Sequence, residues 1–116
     1  MLINLSNHPS TKWSEKQLAA TTSAYGTVTD IPFPHINPSA ALDEVSMLVD
    51  DYICKIKLMP PASVLIAGEL TFTHLFLRRC EEIGILCVAA TSDRLVEEID
   101  GKKMVTFDFV QFRPYF

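Results

Sequence analysis

The sequence predicts an α/β fold built on a parallel sheet, and three observations predict it. Apolar runs at Met1–Leu5, Ser63–Ala67 and Ile85–Ala90 lack regular polar alternation, as strands buried on both faces do. Between them lie segments whose apolar residues recur every three or four positions, the spacing of a helix. Near the end, Asp100-Gly101 separates two strand-like runs and reads as a two-residue hairpin turn. At 116 residues the chain is expected to form one domain, burying roughly 65% of its unfolded surface.

The first strand, Met1–Leu5, is broken only by Asn4 and leads into a polar loop, Ser6–Trp13. Ser14, with Gln17 three residues on, forms a capping box, and Trp13 and Leu18 occupy the positions of a hydrophobic staple. Helix one is predicted over Glu15–Tyr25, with Gly26 as its left-handed stop. Strand two is Thr27–Ile31. The three prolines of Pro32–Pro38 then exclude both helix and ladder. Asn37 reads as an N-cap and Pro38 as the first position of helix two, which runs to Met59 before Pro60 and Pro61. Its apolar stripe is Leu42, Val45, Leu48, Val49, Tyr52, Ile53 and Ile56.

Strand three is Ser63–Ala67, and Gly68 and Glu69 turn the chain. Thr71 or Thr73 begins helix three, whose inward side carries Phe72, Leu75, Phe76, Arg79, Cys80 and Ile83 before Gly84 stops it. Strand four is Ile85–Ala90, ending in a turn at Thr91–Arg94. The hairpin joins Leu95–Ile99 to Lys102–Phe112, where Val105, Phe107 and Phe109 alternate with Thr106 and Asp108.

Right-handed crossovers leave few ways to assemble these pieces. The expected result is a Rossmann-like three-layer domain of four parallel strands, order 2-1-3-4, with a C-terminal antiparallel hairpin over residues 95–112. The switch point between strands one and three then places Ser6–Trp13 and Gly68–Thr73 on either side of one crevice. Thr91–Arg94 would lie along the same rim.

A net charge of −4 leaves no broad basic face for duplex nucleic acid. No secretory signal is visible and no apolar run approaches the ~20 residues of a membrane span, so a cytoplasmic protein is expected. Cys54, Cys80 and Cys87 form no CxxC pair and are expected as buried free thiols.

The crevice loops hold the chemistry. His8 brings an imidazole, the side chain that titrates near neutrality, and reads either as a general acid or base or as a loop residue capping a carbonyl. Ser6, Asn7, Ser10 and Lys12 surround it with hydrogen-bonding groups. Trp13 either stacks on a base or serves as the staple. Glu69 stands at a strand end, where it would position a hydroxyl, and no second carboxylate near it suggests a metal. Thr71 and Thr73 are helix caps that also suit phosphate. Arg94 with Ser92 is a cation-plus-hydroxyl pair on the rim, beside Thr91, and its bland alternative is a solvated arginine. Glycine-rich nucleotide loops, zinc spacing and a G-x-S-x-G elbow are all missing, so no cofactor or metal is expected.

The opening Asn4–Ser10, N-L-S-N-H-P-S, resembles that of small CRISPR-associated proteins of type III systems, which follow a short first strand with a polar Ser/Asn-His-Pro turn. Those proteins are similar in size and hold one compact Rossmann-like domain of the CARF type. The stretches Gly68–Thr73 and Ala90–Arg94 suit such a domain's ligand rim. The resemblance implies a homodimer that binds a cyclic oligoadenylate messenger in antiviral defence. Some members are ring nucleases that linearise the messenger, and a chain of this size has no room for an effector nuclease domain. In that version His8 moves a proton, while Arg94 and N–H groups near Asn7 and Thr71 hold phosphate. The alternatives are a non-catalytic module that sequesters or senses the messenger, and a dimeric interaction protein with an empty crevice.

Overall fold

Strand β1 (Leu2–Ser6) is buried at every position, inside the sheet of a computed structural model that describes residues 1–116. β2 (Val28–Pro32) and β3 (Ser63–Ala67) flank it in parallel, with Leu2 opposite both Val28 and Ser63. β4 (Cys87–Ile99) runs parallel to β3, and β5 (Lys102–Pro114) runs antiparallel to β4. The order is therefore 2-1-3-4-5. The α/β class and the 2-1-3-4 arrangement agree with the sequence. The sheet itself is mixed and five-stranded rather than a four-stranded parallel sheet with a separate hairpin.

That difference arises at Thr91–Arg94, which is strand and not a turn. Nothing between Gly84 and Gly101 breaks extended backbone, since no glycine or proline intervenes. A bulge at Thr91/Ser92 absorbs the irregularity, and the Thr91 hydroxyl accepts from Gln111 N–H at 3.2 Å. The polar residues tolerate strand geometry because this part of the ribbon meets water on both faces. β4 therefore continues to the Asp100-Gly101 turn, where both residues have positive φ (53° and 75°), as a type I′ hairpin requires.

Three helices cover the sheet: α1 (Glu15–Tyr25), α2 (Leu42–Lys57) and α3 (Leu70–Ile83). Side chains alternate across each strand. Ile3, Leu5, Val64 and Ile66 face the α2–α3 layer and pack with Val49, Phe72 and Phe76. Leu2, Leu65 and Val88 face the other way, under Trp13, Tyr25 and Phe112. Phe72 is the hub of the larger core, with its ring 5.0 Å from Phe33, 5.7 Å from Tyr52 and 6.0 Å from Phe76.

Several local expectations change. Pro32 closes β2 opposite Ser6, although the sequence excludes the ladder from the first proline onward, and α2 ends at Lys57 rather than Met59. α2 starts at Leu42, because Asn37 closes its own turn instead of capping a helix: its side-chain oxygen accepts from Ser39 N–H at 2.9 Å. α3 starts at Leu70, capped by Glu69 rather than by Thr71 or Thr73. The staple does not form as expected, since Trp13 packs on the sheet and Leu18 remains 38% exposed. Cys54 is exposed on α2, while Cys80 and Cys87 are buried as expected. The neighbouring Cys80 thiol and burial push the Cys87 thiol well above its ordinary range.

Beyond Val88, β4 has no partner on the β3 side, so residues 92–109 form a two-stranded arm projecting from the sheet. The radius of gyration, 15.7 Å, reflects it, since a compact chain of this length has about 13.4 Å. No helix is long and apolar enough to cross a membrane.

Candidate functional site

The loop that carries His8 is fixed by a buried polar network whose hub is Asn4. A strand buried on both faces has no water for an amide, so every polar atom of Asn4 must find a protein partner. Its Nδ2 donates to the His8 carbonyl and to Asp30 Oδ1, both at 2.9 Å. Its Oδ1 accepts from the Ser6 hydroxyl at 2.7 Å, and Ser6 Oγ in turn accepts from His8 N–H at 3.1 Å. Trp13 Nε1 donates to the same His8 carbonyl at 3.0 Å. Asp30, on β2, also accepts from Ser10 N–H at 3.2 Å and Ser10 Oγ at 2.9 Å. The backbone on either side of Pro9 is thus tied to two strands and to Trp13. All of these His8 bonds run through its backbone, which leaves the exposed imidazole free to engage a ligand.

Beside this loop lies a crevice of about 720 Å³, within the range of small-ligand pockets. It opens on the α1 side of the sheet. Ser6, His8, Lys12, Ser14 and Gln17 supply polar groups from the loop and the first turn of α1, where Ser14 Oγ accepts from Gln17 N–H at 3.2 Å. Ala67, Ala89 and Ala90 keep the floor shallow, and Ser92 stands beyond them. Trp13, Phe107, Phe109 and Tyr115 supply aromatic surface. The Tyr115 hydroxyl donates to the Ile66 carbonyl at 3.3 Å, and burial raises its pKa, so it stays a neutral donor. No Asp or Glu lines this crevice, although the chain carries 14 of them.

Ser6, His8, Lys12, Trp13 and Ser92 therefore come together as the sequence suggests. The opposite wall is not the expected one. A right-handed crossover puts α3 on the face away from α1, so Gly68–Thr73 lies outside this crevice. Gly68 sits against the Phe33 ring, with no room for a side chain. Glu69 caps α3, accepting from Thr71 N–H at 2.9 Å and Phe72 N–H at 2.8 Å, and these bonds hold its carboxyl below the usual glutamate range. With Asn7, Phe33 and His35 it borders a smaller hollow on the far side of the switch point. Thr71 lines a separate groove with Asn37 and Leu42. The Thr73 hydroxyl is buried without a partner. Ser10 is engaged with Asp30 and Thr91 with Gln111.

Arg94 is on the arm. It pairs with Phe107 in the ladder, as Ser92 does with Phe109. Directly opposed residues share a face, so Arg94 stands on the crevice face, one step of about 7 Å beyond Ser92.

The arm wall was not legible as part of the site. Phe107 and Phe109 show strand alternation, which announces a half-buried ribbon but not what the ribbon covers. Asn4 left the clearer signal, as a lone amide inside an apolar strand.

A family model described as "Uncharacterized protein MJ1673 family" matches residues 1–113. No curated protein and no solved structure matches the chain.

Proposed function

The chain belongs to the MJ1673 family, and we propose that it binds a cyclic oligoadenylate messenger in the crevice beside His8 and linearises it, ending type III CRISPR signalling. One observation carries the reading. In a chain of net charge −4, this crevice has no carboxylate and gathers Lys12, His8 and several hydroxyls opposite aromatic rings. Such a lining suits a ligand that is anionic along its backbone and aromatic in its bases. Rings take base stacking, typically worth ~1–3 kcal/mol per base. Lys12, and Arg94 at the outer lip, take phosphate charge.

In the reaction the ribose 2′-oxygen attacks its own 3′-phosphorus in line. The P–O5′ bond breaks, leaving a 2′,3′-cyclic phosphate and a free 5′-hydroxyl. The substrate carries its own nucleophile, so the chain has to orient it and move protons. His8 takes the 2′-hydroxyl proton or returns one to the departing 5′-oxygen. The tethered loop holds its Cα still while the side chain adjusts, which limits the cost of reaching the reactive geometry.

A second reading rests on the same His8. No carboxylate or carbonyl orients its imidazole, which suits a module that holds the messenger without cutting it. Incubation with cyclic tetra-adenylate, with products resolved chromatographically, separates the two. Linear product is expected. Ligand retained intact identifies the module, and no retention overturns the messenger reading altogether.

A further inference from the structure

We infer that the edge of β5 is the seam of a two-fold dimer, in which the arms of two copies join into one continuous ten-stranded sheet. The distal arm is unusual for a surface element. β5 is the last strand of the sheet, so its outer edge offers unpaired N–H and C=O groups over residues 102–108. Such an open edge is a template for another strand. The arm is also apolar on both faces. Phe107 is 70% exposed, and Val96 and Val105 share its face, while Leu95, Ile99 and Met104 are exposed on the other. A two-stranded ribbon standing alone in water is only marginally stable, and extension of its sheet would supply the missing support.

The charge pattern selects the occupant and the register. Along the β4 side run Asp93, Glu97 and Glu98 against the single cation Arg94, so two copies meeting on that strand would bring together more like charge than two meeting on β5. β5 instead carries Lys102 and Lys103 at one end and Asp108 at the other. An antiparallel strand paired about a two-fold axis at Val105 sets Lys102 opposite Asp108 of the second copy, and the reverse. The same register sets Lys103 opposite Phe107, where a lysine stem and ammonium can lie on the ring, and Val105 opposite itself. Asp108 needs such a cation, because within the chain it stands directly opposite Asp93, a destabilising like-charge pair. Lys16 reaches it only at 3.9 Å, with both side chains more than half exposed. A register centred one residue later sets Lys102 against Val110 and Lys103 against Phe109, and the ion pairs vanish. The seam stands independently of the ligand, although Phe107 belongs to both.

Light scattering across a concentration series tests it. Wild type is expected to be a dimer at micromolar concentration. Lys102→Asp and Asp108→Lys should each weaken the dimer by roughly tenfold or more, since each replaces two attractive pairs with two repulsive ones. The double swap, Lys102→Asp with Asp108→Lys, recreates both pairs and should restore wild-type association. A second measurement uses Val105→Cys in a Cys54→Ser background. Residues opposed across an antiparallel pair lie within disulfide reach, so mild oxidation should cross-link it, whereas Ile99→Cys should not. A monomeric wild type, single swaps without effect, a double swap no better than the singles, or no cross-link at Val105 would each overturn the seam.

Discussion

At the scale of single residues, the division of labour around His8 is between a backbone that is held and a side chain that is free. Asn4, Ser6 and Trp13 bind only its peptide groups. Replacing His8 with Ala should therefore leave the loop intact and lower single-turnover cleavage by about 10²–10⁴-fold, with a far smaller change in affinity. Cleavage that survives within a few-fold would show that positioning alone carries the reaction. Asn4→Ala is expected to behave in the opposite manner. It strips partners from the Ser6 hydroxyl, the His8 carbonyl and the Asp30 carboxylate together. A loss of about 1–3 kcal/mol in denaturant unfolding should follow, and any activity should fall along with loop order.

Among the elements, α3 depends on an acidic cap in place of the threonines that its sequence advertises. Glu69's carboxyl binds its proton less readily in the folded chain than in the unfolded one. Its contribution is therefore complete above the ordinary glutamate value of about 4.5. It fades as pH falls through the lower folded value. Glu69→Ala should cost about 1 kcal/mol or less near neutral pH, the range for caps and modest because the carboxyl is exposed. The difference between the two proteins should shrink toward zero as unfolding is repeated at successively lower pH below that point. A gap that persists unchanged into strong acid would remove the charge from the account. The adjacent Gly68 has a separate reason to be glycine, since the Phe33 ring fills the space a Cβ would need.

For the whole molecule, the main feature is asymmetry between the two faces of the sheet. Two helices seal one face, and a single helix leaves the other partly open as the crevice. The arm stands at the end of that open face and exposes apolar residues on both of its sides. If two arms pair, folding and association are linked, and the unfolding temperature should rise with protein concentration. A midpoint independent of concentration over two decades would mean that each chain is stable alone.

The sequence by itself determined the α/β class, the order of the first four strands, the limits of α1, and the hairpin turn at Asp100-Gly101. Each of these follows from local periodicity or from a residue whose backbone freedom admits few conformations, and the handedness of crossovers does the rest. It also marked Ser6–Trp13 as the loop to watch. Only the tertiary structure decided that β4 passes straight through Thr91–Arg94, because a polar run becomes strand or turn according to whether another strand lies beside it. The wall of the crevice was likewise a tertiary outcome. Gly68–Thr73 and the arm compete for that place, and α3's position on the opposite face gives it to the arm. Asn4 shows the same limit at a single residue. Its amide looked like an interruption in an apolar strand, and its role appears once Asp30, distant in sequence, is seen 2.9 Å away.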